Sequence, residues 1–262
     1  MYTGFGALAV CAFGYHLSVS LFDPRQLMSL KMQLQTMVRA GLRSFGYDIC
    51  RADERRNPYL DMGRLVPSNP VVFDVGANVG QTIVELQNAL LNPTIHAFEP
   101  SPKTFAQLKK NLAGRPGLHL NNFALGAKEC TLELYENTDS KLSSFLELGP
   151  QGWGKIDSHS TVNVRTLDQY CAEQNVSEID ILKIDTQGYD LEVIGGASRL
   201  LAQQKINLIF LEIIFLELYK GAPRFDKVFS LLAEQGFKLV AFYKFYYKEN
   251  RVGWTDALFM RG

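Results

Sequence analysis

The chain has 262 residues, of which 47% are hydrophobic and 21% charged, a length and balance that suit one large α/β domain with a modest extension. Its 27 Lys and Arg match its 27 Asp and Glu, so the basic excess of a general nucleic-acid binder is missing, and no nucleic-acid partner is expected. The four cysteines (Cys11, Cys50, Cys130, Cys171) form no C-x-x-C and the four histidines no H-x-x-x-H, which argues against a disulfide framework and against a metal site, and for reduced thiols in the cytoplasm.

Residues 1–22, MYTGFGALAVCAFGYHLSVSLF, lack Asp, Glu, Lys and Arg and approach the length of a membrane span. Glycines, a histidine and hydroxyl side chains dilute the run, and no positive region precedes it as in a signal peptide. Membrane contact through 1–22 stands as the alternative to a buried or surface helix, and Met28, heading an amphipathic stretch, is a second candidate start. Over 26–46, Leu27, Leu30, Leu34, Met37, Val38, Leu42 and Phe45 recur at helical spacing before Gly46, predicting a helix that packs on the main domain. Residues 51–70 are polar and Pro-punctuated and read as a connecting loop with a short helix. The chain thus divides into an N-terminal helical extension, 1–69, and a main domain, 70–262.

From residue 71 strands alternate with helices. VVFDV is a short apolar run, as a strand covered on both faces should be. GQTIVELQNALL reads as a helix, TIHAFE as a strand, and SPKTFAQLKKNLA as a helix with Ser101 as N-cap and Pro102 at its first position. LHLNNFAL reads as a third strand. TLELYE and TVNVRTL are strands flanking a Gly/Ser-rich loop, 137–160. A helix starts near Thr166, IDILKID is a strand, DLEVIGGASRLLAQQ a helix, INLIFLEI a strand and FDKVFSLLAEQG a helix, before FKLVAFY and DALFMRG close the sheet. This order implies an α/β fold, Rossmann-like, mostly parallel, with helices on both faces.

The chemistry concentrates in DVGANVG, at the carboxyl end of the first strand, where open α/β sheets bind ligands. Gly76 and Gly80 let the backbone turn tightly and approach a ligand, and the following helix N-terminus offers free N–H groups. About 20 residues on, Glu99 ends the second strand, placed to accept hydrogen bonds from both hydroxyls of a ribose. A dinucleotide site has G-x-G-x-x-G; here the spacing is G-x-N-x-G, and Asp74 precedes it. An acid there would repel a pyrophosphate and suits a ligand with an ammonium and a sulfonium, S-adenosylmethionine.

Together these segments resemble the FkbM family of S-adenosylmethionine-dependent methyltransferases: FDVGANVGQT, IHAFEPSP, NNFALG, VRTLD, DILKIDTQGYDLEVIGGA and LIFLEI occur in family order from about residue 70 to the C-terminus. The resemblance implies a seven-stranded methyltransferase sheet with one antiparallel strand, and methyl transfer to a hydroxyl of a sugar or natural product, a small-molecule or glycan acceptor. It implies that Asp74, Gly76, Asn78 and Gly80 surround the methionine part, Glu99 holds the ribose, Phe123 and Ala124 flank the adenine, and Ser143 or Ser144 meets the cofactor carboxylate. The family has Glu where this chain has Gln187 and Asp190, and the loss of a carboxylate at 187 argues against a base or metal role there.

Methyl transfer from a sulfonium needs mainly positioning, and an attacking alcohol must lose its proton. Asp185, ending the fourth strand, is the first candidate base. Asp190 follows, as does Glu212, an acid interrupting the apolar LIFLEI at a strand end, costly unless that end lines a site. His159 is a further candidate base, and Lys183 is expected to reach an acid or solvent. Loop 139–160, with Trp153, is a candidate acceptor lid, and FYKFYY (242–247) either stacks on the acceptor or packs in a hairpin. Two rivals remain. A nicotinamide oxidoreductase lacks both G-x-G-x-x-G and Tyr-x-x-x-Lys here; a non-catalytic cofactor-binding or scaffold protein is suggested by Gln187.

Overall fold

The computed structural model describes residues 57–262, together with Gln33, residues 36–38, Gly41 and Ser44. Of these, Gln33, 36–38 and Gly41 are helical, inside the stretch read as a helix; the apolar segment 1–22 and the packing of the 26–46 helix lie outside the described residues. A compact unit spans Arg56–Gly262.

Its elements are α1 (Pro58–Leu65), β1 (Val71–Val75), α2 (Gln81–Ala89), β2 (Thr94–Phe98), α3 (Pro102–Asn111), β3 (Leu118–Asn121), β4 (Ala124–Leu125), β5 (Cys130–Asn137), β6 (Ile156–Arg165), α4 (Leu167–Glu173), β7 (Ile179–Ile184), α5 (Asp190–Gly195), α6 (Ser198–Ala202), β8 (Ile206–Ile214), α7 (Phe225–Glu234), β9 (Phe237–Lys248) and β10 (Arg251–Arg261). Local chemistry sets several starts. Asn57 caps α1, whose Met62 is core, so the short helix read into the connecting loop belongs to the compact unit. Ser101 caps α3 ahead of Pro102, as its sequence predicts, and the helix expected to start near Thr166 is α4, with Thr166 as its cap.

Seven strands form one sheet in the order β3-β2-β1-β7-β8-β10-β9. All neighbours pair parallel except β10, antiparallel to both β8 and β9, so one strand runs against the rest. Successive residues serve opposite faces. On β8, Leu208 and Phe210 pack with Met62, Ile83 and Leu108 under α1–α3, while Ile209 and Leu211 pack with Leu167, Val193 and Val228 under α4–α7. This double covering explains the near-continuous apolar strands.

Three segments differ from their sequence reading. LHLNNFAL divides into β3 and β4, which belong to different sheets: β4, β6 and β5 form a separate three-stranded sheet. Residues 156–160, read as loop, extend β6 and pair with β5. The single helix read over DLEVIGGASRLLAQQ breaks into α5 and α6; at the break the chain packs so closely on the Gly126 carbonyl that position 196 has no room for a Cβ, and Asp168 caps α6 through the N–H groups of Arg199 (2.7 Å) and Leu200 (3.1 Å).

Candidate active site

The strand order reverses between β1 and β7, and at their carboxyl ends lies a cavity of about 530 Å³. Gly76 and Asp185 meet there: Asp185 N–H donates to the Val75 carbonyl (2.9 Å), and a Cβ at Gly76 (φ +81°) would collide with the Asp185 carbonyl. Gly76 is therefore required by the approach of β7 as well as by its left-handed backbone.

At one end of the cavity, Gly80 (φ +94°) begins α2 without a side-chain cap, leaving its first N–H groups for a ligand. Glu99 is buried, and its oxygens accept from the N–H of Asn78 (Oε2, 2.9 Å) and of Ser101 (Oε1, 2.9 Å). Burial pushes its carboxyl up to about 7, against the pull of those N–H groups. Each oxygen keeps a second lone pair, so the carboxylate can still receive two vicinal hydroxyls. Ala124, Leu125 and Leu134 make the neighbouring wall apolar. Donor hydroxyls, an apolar ring and an anionic terminus thus each find a complementary group, and this end fits S-adenosylmethionine. A strap over 139–145 lines the cavity, with Ser140 Oγ donating to Asn78 Oδ1 (3.2 Å) and Ser144 Oγ to the Gln187 carbonyl (2.8 Å).

At the other end Asp185, Gln187 and Glu212 line the cavity together. Gln187 Nε2 donates to Asp185 Oδ1 (2.7 Å) and Glu212 Oε2 (3.2 Å), while Tyr219 OH donates to Gln187 Oε1 (2.6 Å). Burial, then the charges of Asp185 and Asp256, pushes the Glu212 carboxyl well above the usual range. Asp256, its register partner on β10, is itself pushed up to about 6 by burial and by Asp185.

Other sequence candidates fall elsewhere. Asp74 does not line the cavity: it is fully buried, its Oδ1 2.8 Å from the Lys183 ammonium, while its Oδ2 has no hydrogen-bond donor. Lys183 also donates to the Gly76 carbonyl (3.1 Å) and lies 3.8 Å from Asp185 Oδ2; burial opposes its charge, but Asp74 and Asp185 outweigh that and raise its pKa. The positive partner that the sequence reading sought in a ligand is thus supplied by the chain. Asp190, read beside the acceptor, is buried behind the turn, and its Oδ1 accepts from Thr186 N–H (3.2 Å) and Oγ1 (2.9 Å); it braces the turn instead of facing the cavity. Phe123 packs edge-on to Phe98 with the Arg165 guanidinium over its ring, off the cavity wall, whereas Ala124 lines it. Ser143 Oγ accepts from Asn137 N–H, and His159 pairs with Glu133 on the small sheet. Tyr219 and Trp254 were not singled out: they come from distant segments that only the folded sheet brings to the site.

The methyltransferase FkbM domain matches residues 74–239. The chain is 25% identical over 224 residues to the 2-O-methyltransferase NoeI of Sinorhizobium fredii, covering 81% of this chain and 90% of that one. It is 26% identical over 213 residues to the 31-O-demethyl-FK506 methyltransferase FkbM of Streptomyces tacrolimicus (70% and 78% covered), and 25% identical over 146 residues to the hexuronic acid methyltransferase AglP of Haloferax volcanii (55% of each). With a domain match over most of its length and the sheet order and cavity described, the chain belongs to the FkbM family of S-adenosylmethionine-dependent methyltransferases.

Proposed function

We propose that the protein methylates a hydroxyl of a sugar or natural-product acceptor, with Asp185 as the base. The observation that carries this reading is that Asp185 opens on the same cavity as Glu99, its Oδ1 held by Gln187. S-adenosylmethionine supplies an electrophilic methyl group when bound. Glu99 would hold its ribose hydroxyls, the backbone of residues 75–78 and the start of α2 its methionine end, and Ala124 with Leu125 its adenine. Asp185 Oδ2, which Lys183 approaches only to 3.8 Å, is the oxygen that would receive the acceptor's proton as the oxygen–carbon bond forms and the methyl–sulfur bond breaks, with S-adenosylhomocysteine as the leaving group. Gln187 fixes that carboxylate, and the strap keeps water from the reacting atoms.

The test is incubation with methyl-labelled S-adenosylmethionine and a panel of hydroxylated acceptors. The reading predicts label in a base-stable ether. Binding of S-adenosylhomocysteine with no transfer to any acceptor would favour the non-catalytic alternative.

A further inference from the structure

An aromatic wall at the Asp185 end of the cavity has no part in the roles above. Trp153, Tyr246 and Trp254 line it. Tyr246 and Trp254, register partners on β9 and β10, stack with centroids 4.9 Å apart and planes 4° apart. Trp153, from the loop between β5 and β6, lies 5.1 Å from Trp254. The Lys248 ammonium sits 5.1 Å over the Trp153 ring and donates to the Gln151 carbonyl, tying the loop to the hairpin. Trp153 is still 37% exposed, and these two are the only tryptophans in the chain.

We propose that this wall is a platform for a saccharide ring, whose hydroxyls then reach Asp185 and Gln187. The proposal rests on the methyl-transfer reading and specifies its acceptor. A pyranose presents weakly positive C–H bonds, which suit the part of the Trp153 indole that Lys248 and Trp254 leave exposed, and an edge of hydroxyls, which suits a carboxylate beside a carboxamide. A cationic acceptor would have to compete at these rings with Lys248 and with Lys244, 4.6 Å over Tyr246. A wholly apolar acceptor would strip water from Asp185 and Glu212 and return no donor.

Because both tryptophans stand in the wall, intrinsic fluorescence reports on it directly. The protein, saturated with S-adenosylhomocysteine, is titrated with methyl hexopyranosides and, as ring-sized controls, cyclohexanol and cyclohexylamine. The proposal predicts a saturable change with at least one hexopyranoside and none with the controls. It also predicts about 5- to 10-fold weaker hexopyranoside binding in Trp153→Leu, partly restored in Trp153→Phe, with S-adenosylhomocysteine affinity unchanged by calorimetry. Silence across the hexopyranosides, an equal response to either control, or unaltered binding in Trp153→Leu would overturn it. Transfer to a non-sugar hydroxyl with silent hexopyranosides would sink the platform alone, whereas hexopyranoside binding without transfer to any acceptor would sink the methyl-transfer reading and leave the platform standing.

Discussion

The carboxamide of Gln187 lies between two acids, 2.7 Å from Asp185 Oδ1 and 3.2 Å from Glu212 Oε2, and Tyr219 OH at 2.6 Å from Oε1 sets which way it faces. Gln187 has φ +54°, a left-handed backbone that a non-glycine residue rarely adopts, and such positions cluster at functional sites. A neutral donor therefore bridges the two carboxyl groups.

Removing that donor is expected to lower activity and move its pH dependence. Gln187→Ala should reduce kcat about 10- to 100-fold and shift the acid limb of the pH–rate profile to higher pH, since Asp185 then loses the N–H donor that favours its ionised form. Gln187→Glu should shift it further. Tyr219→Phe should show the same direction with a smaller loss, about 3- to 10-fold, because the amide keeps its place and loses its orientation. An unshifted profile in Gln187→Ala would remove the role given to the amide.

Burial, with the charges of Asp185 and Asp256, pushes the Glu212 carboxyl well above the ordinary carboxylate range, which favours its protonated form. Glu212→Gln mimics that state and is expected to keep kcat within about 3-fold at pH 7. Asp190→Asn should behave likewise, because an amide oxygen can still accept from Thr186. A hundredfold loss in either variant, measured by steady-state kinetics, would return that acid to the chemistry.

Glu99 makes donor binding depend on pH. Its folded pKa is about 7, and hydroxyls donated by a ribose favour the ionised form, so binding should release a proton. As pH falls below about 7 the Kd for S-adenosylhomocysteine should rise, by up to about tenfold per unit. Calorimetry in two buffers of different ionisation enthalpy measures the released proton directly. Glu99→Ala should lose at least about 100-fold in affinity, and NAD should not bind.

The Asp74–Lys183 pair is buried, and removing Lys183 leaves the Asp74 charge without its partner. Lys183→Met is expected to cost about 3–5 kcal/mol, read as a lower urea midpoint. Exchanging both residues for apolar ones of similar volume should recover much of that loss.

Much of this was legible in the sequence, and the exceptions share a cause. The alternating strands, the cap at Ser101, the helix start near Thr166, the Gly76 turn and Glu99 at the end of β2 depend on neighbours in sequence, and local pattern reports them. The antiparallel strand and the family followed from ordered motifs over much of the chain. The second sheet was not legible, because β4 is two residues long and its pairing with β6 is remote. Nor was the partner of Asp74, since Lys183 is 109 residues away and its charge, read alone, pointed to solvent or an acid. The break between α5 and α6 packs on the remote Gly126 backbone, and Tyr219, Tyr246 and Trp254 converge only once β8, β9 and β10 are paired.

The central claim is that one cavity holds the methyl donor through Glu99 and deprotonates the acceptor through Asp185. Its most direct test is a paired measurement on Asp185→Asn: S-adenosylhomocysteine affinity by calorimetry, and methyl transfer to an acceptor that the native enzyme uses. The account predicts affinity within about 3-fold of native and a transfer rate reduced at least about 100-fold. Transfer at a near-native rate with the ligand still bound would contradict it.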